Sequence, residues 1–281
     1  MPSLETERVG IVGLGAIGGS LALALRERTS LRTWSRDPRD RELARSAGIT
    51  VARDEAWVGE MSACTIVVLA VPLDEISGVV RALLPHVADA CLVMHASSLQ
   101  RREALGLSES EFERVVGAHP IAGSERSGFA AADRAIFCDA TLRAEARAAA
   151  HDRTRIEMLW CAAGASRFVW DDASRHDALM AWISHLPQLT ATALAAVLAD
   201  QGVPPDDVGP GASDTTRLAG SNLAMWSSIL ERAPRETIDA LRGLTSTLGA
   251  LGDALEARRS GVLAHIWERG RVWRSPLEDQ K

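Results

Sequence analysis

Tyrosine is absent from this chain of 281 residues, and its single lysine, Lys281, is the last residue. Chemistry that needs an internal phenol as proton donor, or an internal amine as base or imine former, is therefore excluded. Four cysteines, Cys64, Cys91, Cys138 and Cys161, stand far apart with no CxxC or histidine-rich spacing. That pattern proposes neither a zinc site nor a disulfide framework, and no metal is expected. No apolar run reaches the roughly 18 to 20 uncharged residues of a spanning helix, and the N-terminus passes from an acidic stretch straight into a strand-like segment without a signal-peptide core. Long basic blocks are missing as well, and the formal net charge is −6, so neither nucleic acid nor a membrane surface is an expected partner. The expectation is a cytoplasmic protein that acts on a small molecule.

What is present is an ordinary globular composition, 47% hydrophobic and 24% charged, long enough for one large or two medium domains. The first half alternates short β-branched runs with amphipathic stretches. Val9 to Val12, Leu31 to Trp34, Thr65 to Val71, Cys91 to His95 and Val115 to Ala118 read as strands. Ala16 to Arg26, Arg39 to Ala47 and Leu73 to Leu84 carry apolar residues at helical spacing. This alternation predicts an α/β fold with a doubly wound parallel sheet over residues 1–150. From His151 the pattern turns to long helical segments: Arg153 to Ala163, a brief RFVW strand, Ala173 to Asp200, Ser213 to Gly220 and Arg235 to Glu268. Residues 151–281 are thus expected to form an all-helical second domain. Its Ala-, Leu- and Trp-rich helices are too apolar for one neighbouring domain to cover, which predicts a symmetric homodimer.

Gly13, Gly15 and Gly18 form GxGxxG directly after the first strand, with Ala16 and Ile17 opening the following helix. The first glycine permits the tight turn, the second lets a pyrophosphate approach the positive helix end, and the third allows helix and strand to pack closely. A Rossmann-type dinucleotide site is expected. Where an acid commonly bonds the ribose 2′-hydroxyl, the chain reads Thr33-Trp34-Ser35-Arg36-Asp37. Ser35 with Arg36 suits a 2′-phosphate, which favours NADP; NAD remains possible if Asp37 takes the acid's position.

With tyrosine and internal lysine excluded, the acid-base group of such an oxidoreductase is expected to be histidine. His86, His151 and His265 have nothing catalytic around them. His119 lies at a strand end on the ligand-binding edge of the sheet, and His176-Asp177 and His185 share one predicted helix, which Pro187 should bend where the polar groups gather.

The blocks GLGAIGGSLA, VVLAVP, GAHPIAGSERSG, HDALMAWISHLP and TTRLAGSNLAMW, in this order, resemble the prephenate/arogenate dehydrogenase family of tyrosine biosynthesis, including its cyclohexadienyl dehydrogenases. The resemblance spans roughly residues 8 to 270 and implies a Rossmann domain followed by a helical dimerisation domain. It implies that His119 takes the proton of the ring 4-hydroxyl while hydride leaves the same carbon for the nicotinamide and the ring carboxylate departs as CO2. It adds Val71 and Pro72 to the cofactor site. It places Ser98 on the same hydroxyl, where it helps to orient His119, although His95 and Gln100 stand where the family usually has Asp and Lys. Arg217 would hold a substrate carboxylate. Glu125 and Arg126 would lie near the pocket, and His185 and Gln188 would meet substrate. Gln188, replacing a histidine of prephenate-specific relatives, could accept from the ammonium of arogenate and tilts the expectation that way. With few residues after the last predicted helix, no C-terminal regulatory module is expected. Two other readings stay open: a dehydrogenase of a 4-amino prephenate analogue in a secondary pathway, and an inactive NADP-binding sensor.

Overall fold

The valine and isoleucine runs of the first half become buried strands. In the computed structural model, which describes residues 4–123 and 126–278, β1 (Arg8–Val12), β2 (Ser30–Trp34), β3 (Ile66–Leu69), β4 (Leu92–His95) and β5 (Val115–Ile121) pair in parallel. β6 (Thr141–Glu145) joins β5 antiparallel, and β7 (Arg167–Asp171) joins β6 in parallel, so the seven-stranded order is β2-β1-β3-β4-β5-β6-β7. Every residue of β3 and β4 is buried, as strands covered on both faces require. Successive residues point to opposite faces: Ile11, Ile66 and Val68 enter one apolar core, while Val12, Val67 and Leu69 enter the other.

Helices α1 (Ala16–Leu25), α2 (Pro38–Ser46), α3 (Trp57–Ser62), α4 (Ile76–Leu83), α5 (Arg102–Leu105) and α6 (Glu109–Arg114) lie between the parallel strands, and α7 (Ala150–Ala163) precedes β7. The sheet therefore runs past the expected boundary at residue 150. Trp160 of α7 is fully buried and meets Phe137 edge-on, with ring centroids 5.2 Å apart, which fixes α7 to the first core. β6, of sequence TLRAE, is not predicted from its residues. It has one β-branched side chain and becomes a strand because β5 and β7 supply partners on both sides.

The connection from β5 to β6 returns over the helices that follow β1 and β2. Phe129 lies so close to Gly19 that a methyl there would come 2.8 Å from its ring. The Phe129 N–H donates to Asp40 Oδ1 at 2.7 Å, and the Asp133 N–H donates to Ser20 Oγ at 2.9 Å.

After β7 the chain is helical. Asp172 caps α8 (Ala173–Met180) by accepting the Arg175 N–H at 2.9 Å. The helix expected over Ala173 to Asp200 forms, interrupted by a π-helical turn at Ala181–His185 before α9 (Leu186–Asp200). Pro187, in the first turn of α9, has no N–H for the regular ladder, which accounts for the wider turn just before it. α10 (Pro210–Thr216), a 3-10 turn at Arg217–Gly220 and α11 (Leu223–Glu231) follow.

By its internal contacts the chain divides into two compact units, Met1–Ala233 and Pro234–Lys281. The second holds α12 (Arg235–Glu256) and α13 (Ser260–Glu278), which pack on each other. The sequence pattern there reads as one helix, but the chain breaks at 257–259, where Arg258 adopts a positive φ of 51°. Leu248, Leu255, Trp267, Val272 and Trp273 of this unit are exposed.

Two glycines hold the β1–α1 turn closed. Gly13 has φ +96°, and a methyl there would lie 2.3 Å from the Ala70 carbonyl oxygen. One on Gly18 would lie 1.9 Å from the Gly13 oxygen, whereas one on Gly15 would meet nothing within 4 Å. Gly18→Ala should therefore lose about 1 to 3 kcal/mol in chemical denaturation, the usual range for overpacking, and Gly15→Ala should stay within about 1 kcal/mol of wild type. Equal losses would contradict the close-packing account.

Candidate active site

The dinucleotide end is built from backbone. Gly15 is the N-cap of α1 with no side-chain cap, and the first turn carries no acidic residue. The N–H groups of that first turn, opened by Ala16 and Ile17, are left to an external acceptor, and the helix dipole favours an anion there. Val71 packs beside Gly13, and Pro72 precedes the short turn Leu73–Glu75. This cradle, open only at Gly15, fits the pyrophosphate of a dinucleotide.

At the end of β2 the three candidate readers part ways. Ser35 is buried, and its carbonyl accepts from Arg41 Nη1 at 2.6 Å. Arg36 is exposed and pairs with Glu75 at 2.7 Å. Asp37 caps α2 by accepting the Arg39 N–H at 2.8 Å. The cap engages one carboxylate oxygen of Asp37.

The second half of the site gathers where β5 ends. A cavity of about 310 Å³ is lined by His119, Ile121, Ala122 and Gly123 from β5 and its extension, and by Met180, Ile183 and Ser184 from the end of α8 and the π turn. Its size suits a single six-membered ring with small substituents. Behind the cavity, His119 Nδ1 lies 3.1 Å from His176 Nε2, and His176 Nδ1 lies 2.8 Å from Asp177 Oδ1. Asp177 also accepts the Gln100 N–H at 2.8 Å, the Arg101 N–H at 3.0 Å and Arg101 Nε at 3.3 Å. Both His176 and Asp177 have no exposed surface.

Burial, followed by the neighbouring charges of His176, His95, Arg143 and His185, holds the His119 ring well below the ordinary histidine range, so it is a neutral imidazole at physiological pH. His185 is lowered to about 4, mainly by burial, and stands edge-on to Trp226 with centroids 6.1 Å apart. His95, at the end of β4, is lowered to about 3 by burial and then by Arg147 and His176, against the pull of Asp177. Neither of its ring nitrogens has a hydrogen-bond partner among the described residues.

Several site expectations change. Ser98 lies in the loop after β4 but makes no hydrogen bond to His119; the ring is held by His176 instead. Gln188 is buried: Nε2 donates to the Leu218 carbonyl at 2.8 Å and to Thr192 Oγ1 at 3.3 Å, and Oε1 accepts from Ser221 Oγ at 3.2 Å. It therefore braces the turn that carries Arg217. Arg217 sits on that turn and is not among the residues that line the cavity. Glu125 lies outside the described residues. The His176-Asp177 pair, which the sequence sets on one predicted helix with His185, comes to lie directly behind His119.

Among the described residues no helix is long and apolar enough to cross a membrane, and no cluster of three or more His, Cys, Asp or Glu side chains is arranged to hold a metal ion. A glycine-cradled nucleotide fold with a neutral histidine at the carboxyl edge of its sheet defines an NAD(P)-dependent oxidoreductase. The family model for the prephenate dehydrogenase nucleotide-binding domain matches residues 21–143, and that for the prephenate dehydrogenase dimerization domain matches residues 172–268. The chain belongs to the prephenate/arogenate dehydrogenase family. A prephenate dehydrogenase of Lactococcus lactis is 28% identical over 98% of this chain and 78% of its own length. A cyclohexadienyl dehydrogenase of Zymomonas mobilis is 29% identical over 81% of this chain and 82% of its own. In fold, the chain is similar to the crystal structure of prephenate dehydrogenase from A. aeolicus in complex with hydroxyphenyl propionate and NAD+, with a TM-score of 0.84 at 24% identity, covering 98% of this chain and 100% of that one.

The depressed histidines make acid stability a test of the site. Unfolded, His95 takes up a proton near 6.5; folded, it does so only near 3. Its neutral form stabilises the fold above that window, and stability is lost as pH falls through it, by up to about 1.4 kcal/mol per pH unit for one histidine. Chemical denaturation between pH 6.5 and 4 should show this slope, and His95→Met should flatten it by about one proton without loss at neutral pH, since no hydrogen bond is removed. An unchanged slope in His95→Met would assign it to other groups.

Proposed function

We propose that this chain oxidatively decarboxylates prephenate or arogenate, with His119 as the base. The observation that carries the reading is a neutral His119 that lines a ring-sized cavity at the carboxyl edge of a dinucleotide fold. With its Nδ1 engaged by His176, the other ring nitrogen, Nε2, is left for substrate. His119 Nε2 takes the proton of the 4-hydroxyl as the C–O bond becomes a carbonyl. The hydrogen of that carbon leaves with its electron pair, and the ring carboxylate leaves as CO2, its bonding electrons entering the ring. Bound NAD(P) supplies the hydride acceptor. Aromatisation drives the carbon dioxide loss, so the chain has to orient the ring and hold one proton acceptor ready. Met180 and Ile183 offer the ring an apolar wall. We assign Ser98 to the same hydroxyl and Arg217 to a substrate carboxylate, a task its planar fork suits.

Asp37 is engaged in the cap of α2, and Ser35 and Arg36 occupy the end of β2, which supports NADP as the preferred cofactor. The exposed leucines, valine and tryptophans of the second unit, together with the match to a dimerization domain, support a homodimer.

Reduced-nicotinamide absorbance with prephenate and with arogenate, against both cofactors, tests the assignment. Wild type should turn over at least one substrate, and His119→Asn should lower kcat on the order of 10² to 10⁴ with cofactor affinity nearly unchanged, as for loss of a positioned base. Near-normal turnover in His119→Asn would remove the base from His119. Arg36→Ala should weaken NADP binding about tenfold or more and spare NAD, the loss expected for a hydrogen bond to a charged group. Equal losses for both cofactors would remove the 2′-phosphate from Arg36.

A further inference from the structure

The groups behind His119 form a directed chain. We propose that His176 and Asp177 are positioning residues that lock His119 in the tautomer with Nε2 unprotonated and tie it to the loop that carries Ser98. This rests on the reading of His119 as the base.

A carboxylate oxygen only accepts, so the bond between His176 Nδ1 and Asp177 Oδ1 puts the proton on His176 Nδ1. With that proton as the only one on its ring, His176 has only a lone pair at Nε2. The 3.1 Å contact to His119 Nδ1 can be a hydrogen bond only if that nitrogen donates. His119, a neutral ring, is left with its lone pair on Nε2, the form a base requires. Each link fixes the next, and the acceptor-only carboxylate at the far end sets the direction.

The burial of these groups argues that the chain is more than a structural bond. A wholly buried carboxylate is unfavourable unless its oxygens meet donors, and the two N–H groups of Gln100 and Arg101 with the Arg101 guanidinium already satisfy Asp177. Stability would be served if His176 were an apolar residue. Instead a second wholly buried polar ring spans the gap between that carboxylate and the one histidine that lines the cavity. The same carboxylate grips the backbone of Gln100 and Arg101, at the end of the loop that includes Ser98, so the loop and the base share one anchor. The charged or titratable neighbours that face His119 are His176 from α8, His95 from β4, Arg143 from β6 and His185 from the π turn; Asp177, one link behind, is the acid of the chain.

Two variants of His176 separate positioning from packing. Leucine fills the space without either hydrogen bond, whereas the glutamine amide can accept from His119 with Oε1 and donate to Asp177 with Nε2. His176→Leu should lower kcat about 100-fold or more while KM and cofactor dissociation constants stay within about threefold of wild type, and His176→Gln should recover at least about tenfold of that loss. Asp177→Asn, which lets His176 reverse, should lower kcat to a similar degree. A kcat within twofold of wild type in His176→Leu would overturn the proposal.

Nitrogen NMR of the histidine-labelled full-length protein, with the His119 signals assigned from their loss in His119→Asn, reads the tautomer without any turnover. Wild type should show Nδ1 protonated and Nε2 bare, and His176→Leu should lose that preference. A proton on Nε2 in wild type, or an unchanged tautomer in His176→Leu, would refute the relay. If wild type turns over neither prephenate nor arogenate, the substrate reading fails and the NMR result alone decides the relay.

Discussion

One buried carboxylate ties the two halves of the site together. Asp177 lies inside α8, a helix that follows the sheet, and its oxygens accept from the loop that follows β4 and from the ring next to it. Without that set of donors a charge with no exposed surface could not be held in the apolar interior; with it, the middle of α8 is pinned to the loop at the carboxyl edge of the sheet. The position of His176, the wall formed by Met180 and Ile183, and the place of the π turn all follow from where α8 is anchored.

The nucleotide end obeys a different constraint, which is steric. The β1–α1 turn is so tight that two of its glycines sit within contact of backbone oxygens, while the third faces open space. No side chain makes this cradle, so its chemistry is the chemistry of peptide N–H groups at a helix start. At the end of β2, in contrast, Ser35, Arg36 and Asp37 engage three different partners, Arg41, Glu75 and the Arg39 N–H.

Those differences explain what could be read from residues alone. Strands β1, β3 and β5 are legible because their Val and Ile residues leave a compositional trace, and the glycine spacing is legible because backbone sterics at Gly13 and Gly18 leave no room for a side chain. β6 left no such trace, since its conformation comes from its neighbours. His119 stood out through its place at a strand end. Its bond to His176 did not, because the distance of 57 positions between the two is bridged only by the packing of α8 on the sheet. The neighbours of Gln188 were hidden for a related reason. An amide in a helix can face substrate or backbone, and the bonds to Leu218, Thr192 and Ser221 that decide between them come from segments distant in sequence or on the next turn.

The reversal of direction between β5 and β6 has a mechanical consequence. Antiparallel pairing sets Thr141 opposite Ile121, which lines the cavity. Ahead of β6 the chain is riveted at Asp133 to Ser20 of α1 and at Phe129 to Asp40 of α2. The helix that follows the glycine turn and the strand that pairs with the cavity wall thus belong to one truss. A load placed on the nucleotide side is borne by struts that reach the rim of the substrate side.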